Sequence, residues 1–123
     1  MVYKVKLAKS PNKAKKYRVT FQDGDHVDFG ASGYSDFTKH KNPFRMREYV
    51  RRHGGKISKS IMADEDPGSV LKRMLAVHSS TKEKWGKLGV KTAGFWSRWL
   101  LWSEPTLRDA KKLITRKYHV HFV

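Results

Sequence analysis

Alternating apolar and cationic residues open the chain and predict a β-strand. Tyr3, Val5 and Leu7 alternate with Lys4 and Lys6. A period of two places successive side chains on opposite faces of a strand. The first strand is therefore expected to have one apolar face towards the core and one cationic face towards solvent.

Two further alternating segments predict a β-hairpin. They span residues 16–21 and 25–29 and flank Gln22-Asp23-Gly24. A two-residue turn would pair Phe21 with His26 and mix apolar with polar positions, whereas a three-residue turn with Gly24 in the left-handed conformation separates them. We therefore predict the three-residue turn, with the pairs Phe21–Asp25, Val19–Val27, Tyr17–Phe29 and Arg18–Asp28.

The first predicted helix begins at Asn42-Pro43 and runs from Pro43 to about Arg52. Asn is a favoured helix cap, Pro is favoured at the first helical position, and Gly54-Gly55 provides the stop. The helical period separates an apolar face from a cationic one. The first face holds Met46, Tyr49, Val50 and His53, and the second holds Arg45, Arg47, Arg51 and Arg52.

Four further segments are predicted between that helix and the C-terminus. Residues 54–66 lack periodicity and are predicted to form a mobile loop. Asp66-Pro67 then predicts a cap and a helix to about His78. Thr106 predicts the cap of a last helix, Leu107 to about Lys117, with Asp109 completing a variant of the capping box. The alternation of Tyr118, Val120 and Phe122 predicts a C-terminal strand at the edge of the N-terminal sheet.

A Trp-rich segment after Thr92 predicts a helix that is apolar around nearly its whole circumference. Such a helix lies in the core or in an interface, and exposed aromatic residues can also stack on nucleic-acid bases. We favour the core and leave the other two interpretations open, with Trp102 nearest to a partner. The aromatic residues concerned are Phe95, Trp96, Trp99 and Trp102.

These elements predict an α+β fold in a single domain over residues 1–123. A small N-terminal antiparallel hairpin or three-stranded sheet would pack against three to four helices, with the Trp-rich helix at the centre. The chain has no Cys, which excludes disulfides and thiolate zinc sites and fits a reducing compartment. Without a signal-peptide core or a long apolar run, we expect a cytosolic protein without a transmembrane segment.

The balance of charge points to a polyanionic partner. Lys and Arg total 27 against 11 Asp and Glu, which gives a formal net charge of +16. A field of this strength attracts nucleic acid or anionic membranes. We predict phosphate contacts with DNA, or with RNA, through Lys4, Lys6, Lys13, Lys15, Lys16, Arg18, Arg45, Arg47, Arg51, Arg52 and Arg98. Residues 13–18 also resemble a nuclear import signal.

Signals for catalysis are weak by comparison. His119 and His121 would share a strand face, but no third metal ligand is evident nearby. Asp64-Glu65-Asp66 is explained by the dipole of the helix that follows it. We therefore predict no catalytic residue, no metal site and no cofactor, and we do not expect an enzyme.

Two blocks of the sequence resemble a family of small basic proteins encoded by nucleocytoplasmic large DNA viruses. The first runs from Phe29-Gly30-Ala31-Ser32-Gly33-Tyr34 to His53, and the second contains Thr92-Ala93-Gly94-Phe95-Trp96 and Pro105-Thr106-Leu107. The resemblance covers residues 17–53 and 85–114, so that the predicted helix near residues 70–78 resembles an insertion. It implies a viral setting but no catalytic residues, because the family has no established activity.

Charge and resemblance together predict a non-enzymatic, largely sequence-independent DNA-binding protein of a large DNA virus. It would coat or package the genome or act during infection, in the virion, the cytoplasmic viral factory or the host nucleus. The alternative is a structural protein of the virion that lines the capsid or forms a homo-oligomer through the Trp-rich helix. A nuclease would need a constellation of His or carboxylate residues that the sequence does not reveal.

Overall fold

A four-stranded sheet joins the two ends of the chain. The computed structural model describes residues 2–123. The first three strands are antiparallel, and the last one adds in parallel beside the first. This arrangement confirms the predicted α+β class and the C-terminal edge strand. The strands are β1 (Tyr3–Lys9), β2 (Lys15–Phe21), β3 (His26–Ala31) and β4 (Val120–Phe122), in the order β3-β2-β1-β4.

The β2–β3 hairpin has the predicted three-residue turn. Val19 pairs with Val27 and Tyr17 with Phe29, and the amide N–H of Phe21 donates to the carbonyl of Asp25 at 2.8 Å. Gly24 has a φ of +93°, a conformation that costs glycine little because it lacks a Cβ. The register keeps the apolar side chains of both strands on the inner face of the sheet.

The helices cover that inner face. Their predicted caps at Asn42, Asp66, Thr92 and Thr106 are confirmed, since each side chain accepts an N–H of the first turn. The helices are α1 (Phe37–His40), α2 (Pro43–Arg52), α3 (Lys59–Met62), α4 (Pro67–Met74), α5 (Ala93–Trp96) and α6 (Leu107–Tyr118), with a 3-10 turn at Lys87–Gly89. A π-helical segment, Ser97–Leu101, continues α5, and we call the two together the central helix.

Three features of the helices differ from the prediction. Residues 54–66, predicted as a loop, contain α3, whose cap Ser58 accepts the N–H of Ile61. Helix α4 ends at Met74 and not near residue 78. Helix α1 was not predicted, because its four residues are too few for a periodic pattern and depend on the cap at Asp36.

The central helix forms the middle of the core. Phe95, Trp96 and Trp99 have no exposed surface. The Trp96 ring packs against Phe29 of the sheet at a centroid distance of 6.1 Å, and the Trp99 ring packs against Tyr118 of α6 at 5.5 Å. These three aromatic residues are therefore core residues, as favoured from the sequence, and are inaccessible to nucleic-acid bases.

Candidate nucleic-acid interface

Four of the predicted phosphate-binding residues meet at one cavity, which we call the basic cleft. Its volume is about 420 Å³, and it lies between the end of the β2–β3 hairpin, α2 and the central helix. Lys15 and Lys16 come from β2, and Arg45 and Arg52 come from α2. The remaining lining residues are Gly30, Ala31, Tyr34, Ser35, Asp36, Tyr49, His53, Ala93, Ser97, Leu101 and Trp102.

Helical spacing explains the α2 wall of the cleft. Arg45, Tyr49 and Arg52 are separated by four and three residues, and His53 follows one turn after Tyr49. Residues three and four apart lie on the same face of a helix. The sequence had assigned the arginines and the Tyr49 stripe to opposite faces, whereas at the cleft the two sets meet.

Small residues of the central helix keep the cleft open. Ala93 and Ser97 lie one turn apart on the wall that faces α2 and the hairpin. Gly30 has a φ of +79°, and a Cβ at this position would come within 2.8 Å of the Leu101 side chain. The end of β3 therefore approaches the central helix closely only because Gly30 has no side chain.

Asp36 is the only carboxylate that lines the basic cleft, among residues 2–123, and it is already engaged. One of its oxygens accepts the N–H of Thr38 as the cap of α1, and the other accepts Lys16 Nζ at 2.6 Å. The Asp36 side chain is only 2% exposed. Lys15, Arg45 and Arg52 form no ion pair with any carboxylate in the described part of the chain. The cleft therefore has a surplus of positive charge.

A stack of aromatic rings makes the α2 wall rigid. The Tyr49 ring lies between Trp102, at 4.3 Å, and His53, at 4.0 Å. Burial raises the pKa of Tyr49 well above its usual range, so that its hydroxyl stays neutral. His53 Nδ1 is 2.9 Å from one carboxylate oxygen of Glu83. The other Glu83 oxygen accepts the Trp85 indole N–H at 2.8 Å. Stacking and these hydrogen bonds fix the positions of the Tyr49 and His53 rings.

A shallower groove extends the basic surface from the cleft. It shares Lys15 and Lys16 with the cleft and adds Lys9 and Lys39. We call the continuous set Lys9, Lys15, Lys16, Lys39, Arg45 and Arg52 the cationic strip. The sequence pattern did not predict Lys9, Lys39, Tyr34 or the cleft-facing position of His53 at this surface. Lys9 is out of phase with the alternation of Lys4 and Lys6 in β1, so no local pattern indicated it or the others.

The remaining predicted cations of the N-terminal sheet lie outside the cationic strip. Lys4 and Lys6 are exposed on the outer face of β1, and Lys13 is exposed in the β1–β2 turn. Arg18 forms a two-bond ion pair with Asp28, at 2.8 and 2.9 Å, as the hairpin register predicted. Hydrogen bonding from Arg18 is the main reason that the pKa of Asp28 falls to about 2.

Two arginines of α2 have other partners. Arg47 was predicted to project outwards, but it donates to the carbonyls of Ile61 and Asp64 at 2.8 Å each. That orientation was predicted wrongly, because α3 was predicted as a loop and its carbonyl groups were not foreseen. Arg51 is exposed and pairs with Glu48. Neither residue lines the basic cleft.

Arg98 is fully buried, which corrects its assignment as a phosphate ligand. Its guanidinium donates to the carbonyls of Met74 at 2.6 Å and Val77 at 2.9 Å, and also to that of Trp102. It lies 4.5 Å from the centre of a Trp99 ring, within the range of a cation–π contact. Burial lowers the pKa of Arg98 to about 10, so the group stays charged at neutral pH.

The acidic run at residues 64–66 and the histidines of the C-terminal segment do not form a catalytic or metal-binding cluster in the described residues. Asp66 caps α4, and Asp64 pairs with Arg73 at 3.1 Å. His121 lies exposed on β4, and His119 ends α6 in a left-handed conformation with a φ of +56°. No group of three or more His, Asp and Glu residues is placed to hold a metal ion within residues 2–123.

The fold and the cleft define a small, strongly basic α+β protein with a cationic cleft beside its central helix. A family model described as "Family of unknown function (DUF5754)" matches residues 5–53. The match includes the whole cationic strip but not the central helix. No curated protein and no solved structure matches the chain. No helix among residues 2–123 is long and apolar enough to cross a membrane.

Proposed function

We propose that this protein binds nucleic acid through phosphate groups, without catalysis and with little dependence on sequence. The observation that carries the proposal is the convergence of Lys15, Arg45 and Arg52 at one cleft without carboxylate partners. These residues come from two separate segments of the chain. A cluster of unpaired cations on one face is the electrostatic footprint of a nucleic-acid-binding protein.

The shape of the cationic strip supports binding to a chain of phosphates. The strip runs from Lys9 and Lys39 in the side groove to Arg45 and Arg52 in the cleft. Side chains from two strands and two helices thus offer several cations to one extended partner. Lysine and arginine at such positions contact phosphates of any sequence.

The setting that we propose is a large DNA virus. The resemblance of residues 17–53 and 85–114 to small basic proteins of these viruses supports it. DNA is then the expected partner, in the virion, the viral factory or the host nucleus. The import signal proposed for residues 13–18 has limited access, because Lys16 and Arg18 are both held in ion pairs.

The alternative of a structural protein that associates through its Trp-rich helix has less support. Phe95, Trp96 and Trp99 are buried within the chain, and Trp102 stacks on Tyr49. Little of this helix is left for a partner. A role in lining a capsid would therefore depend on the charged surface and not on the tryptophans.

Salt titration of DNA binding tests the proposal. The logarithm of the association constant should fall linearly with the logarithm of salt concentration, by about 0.9 per phosphate contact on a duplex. Two duplexes of unrelated sequence should bind alike in fluorescence anisotropy. Binding that does not depend on salt, or that one sequence alone supports, would contradict the proposal.

A pair of charge-reversal variants locates the binding surface. Lys9→Glu with Lys39→Glu changes the strip, whereas Lys72→Glu with Lys112→Glu makes the same change of net charge on α4 and α6. The first variant should lose far more affinity for DNA than the second. Equal losses would show that net charge alone drives binding and that the strip is not the interface.

The absence of catalysis is tested with a supercoiled plasmid. We expect no nicking by the purified protein in the presence of magnesium or manganese. Cleavage that requires the divalent ion and disappears in His119→Ala or Asp36→Ala would overturn the non-enzymatic part of the proposal.

A further inference from the structure

We propose that the basic cleft holds one unpaired nucleotide of a nucleic-acid strand. Its phosphate would lie among Lys15, Arg45 and Arg52, and its base or sugar would lie against the wall that contains Tyr34. This inference rests on the proposed function and adds the form of nucleic acid that the site accepts.

The concave shape of the cleft favours an unpaired nucleotide over a duplex. Phosphates of a duplex lie on a convex, rigid surface, so a duplex could meet only the rim of a cavity. A volume of about 420 Å³ is within the range of small-ligand sites. A strand end or an unstacked nucleotide can enter such a cavity, because its base and phosphate turn independently of a helix.

The positions of the charges favour a phosphate inside the cleft. Arg45 and Arg52 are two helical turns apart on one wall, and Lys15 of β2 lines the same cleft. The fixed fork of a guanidinium suits bidentate contact with phosphate oxygens. Because Asp36 is already bonded to Lys16, it neutralises that lysine and leaves the other three cations for the ligand.

The aromatic part of the cleft suits a base. Tyr34 lines the cleft and is 72% exposed, which is unusual for a large ring in a chain whose other aromatic residues are mostly packed. It lies beyond Gly33, in the turn between β3 and α1. Stacking of bases on aromatic side chains is a common and sequence-tolerant means of holding single strands. Trp85, Trp96 and Trp99 are too buried for this role, and Trp102 is already stacked on Tyr49.

Calorimetric titration with three small probes tests the inference directly. The probes are thymidine 5′-monophosphate, thymidine and inorganic phosphate. The nucleotide should bind at a single saturable site and more tightly than either part alone. If thymidine and the nucleotide bind equally, or neither binds, the inference is wrong.

Variants of the cleft connect that binding to the named residues. Arg45→Ala and Arg52→Ala should each weaken nucleotide binding roughly tenfold, the usual loss for a charge-assisted hydrogen bond. Arg51→Ala is the matched control, since Arg51 lies on the same helix but outside the cleft. Tyr34→Ala should weaken binding of the nucleotide but not of inorganic phosphate. Tyr34→Phe keeps the aromatic ring and should bind the nucleotide as the parent protein does. Circular dichroism checks that each variant folds.

Oligonucleotides separate this inference from the proposed function. A duplex with an unpaired tail should bind more tightly than a blunt duplex of the same charge, and the mononucleotide should compete with the tail. Equal, salt-dependent binding of both duplexes without competition would overturn the inference and leave the proposed function standing. Failure of every polymer to bind at low salt would overturn the proposed function, and saturable nucleotide binding would then assign the cleft to free nucleotides.

Discussion

Arg98 and Arg52 carry the same guanidinium group, yet the fold gives them opposite surroundings. Arg98 is buried among tryptophan rings and three carbonyl oxygens. Arg52 is exposed at the basic cleft and pairs with no carboxylate in residues 2–123. The first cation joins α4 to the central helix, and the second is available to a ligand.

The difference shows why a count of positive charges does not locate a binding surface. Desolvating a charge is expensive, and Arg98 offsets that cost with backbone carbonyls and ring faces. Arg47 is used in a similar way at the carbonyl of Ile61 in α3 and that of Asp64 just after it. Several of the predicted phosphate ligands therefore stabilise the fold, whereas Lys15, Arg45 and Arg52 line the cleft and pair with no carboxylate in residues 2–123.

Replacement of Trp99 should give the largest effect on stability. Trp99 has no exposed surface, and its indole N–H donates to the Trp85 carbonyl at 2.7 Å. Trp99→Ala should lower the free energy of unfolding by about 3 to 5 kcal/mol, as truncation of buried Trp does. Urea denaturation measures the loss. A folded Trp99→Ala monomer beside an oligomeric parent would contradict the assignment of this residue to the core.

Replacement of the two arginines should separate stability from binding. Arg98→Ala leaves three carbonyls without their donor and should cost roughly 3 kcal/mol or more of unfolding free energy. Arg52→Ala should change that free energy by only about 0.5 kcal/mol, as at most surface sites. Thermal and urea unfolding compare the two. Equal stability losses would show that Arg52 also has a structural role.

For DNA binding, replacement of the cleft arginines should have a larger effect than replacement of Arg98. Joint replacement of Arg45 and Arg52 by Ala should reduce the salt slope by about 1.4 on single-stranded DNA, because two phosphate contacts are lost. Arg98→Lys, if it folds, should leave the slope unchanged. Fluorescence anisotropy over a salt series gives both slopes. A smaller slope for the buried variant would contradict the distinction between the two arginines.

The Arg18–Asp28 pair should give the smallest effect, and only in acid. The folded pKa of Asp28 is about 2, below the ordinary 3.8, so its ionised form stabilises the fold. That contribution is complete above about pH 4 and is lost as the pH falls towards 2. Asp28→Asn should therefore flatten part of the acid limb of thermal stability. The remaining loss of thermal stability in acid should persist, because Asp64 also has a pKa of about 2.

Much of the fold was predictable because its signals are local. Asn42-Pro43, Asp66-Pro67 and Thr106 cap helices wherever they occur before a helical pattern. The turn at Gly24 follows from matching the faces of two strands. Helices α1 and α3 were missed because four residues cannot show a period. The cleft was predicted only in part, since its members come from β2, the turn after β3, α2 and the central helix.

By itself, the sequence determined the strands, the capped helices, the hairpin register and the large positive charge. The period of side chains and the conformational preferences of Gly, Pro and capping residues act within a few positions of the chain. Only the tertiary structure decided which cations are used internally and which remain free. That choice depends on long-range neighbours: Arg98 meets the end of α4, Lys16 meets Asp36, and Arg45 and Arg52 meet a cavity that Gly30, Ala93 and Ser97 leave open.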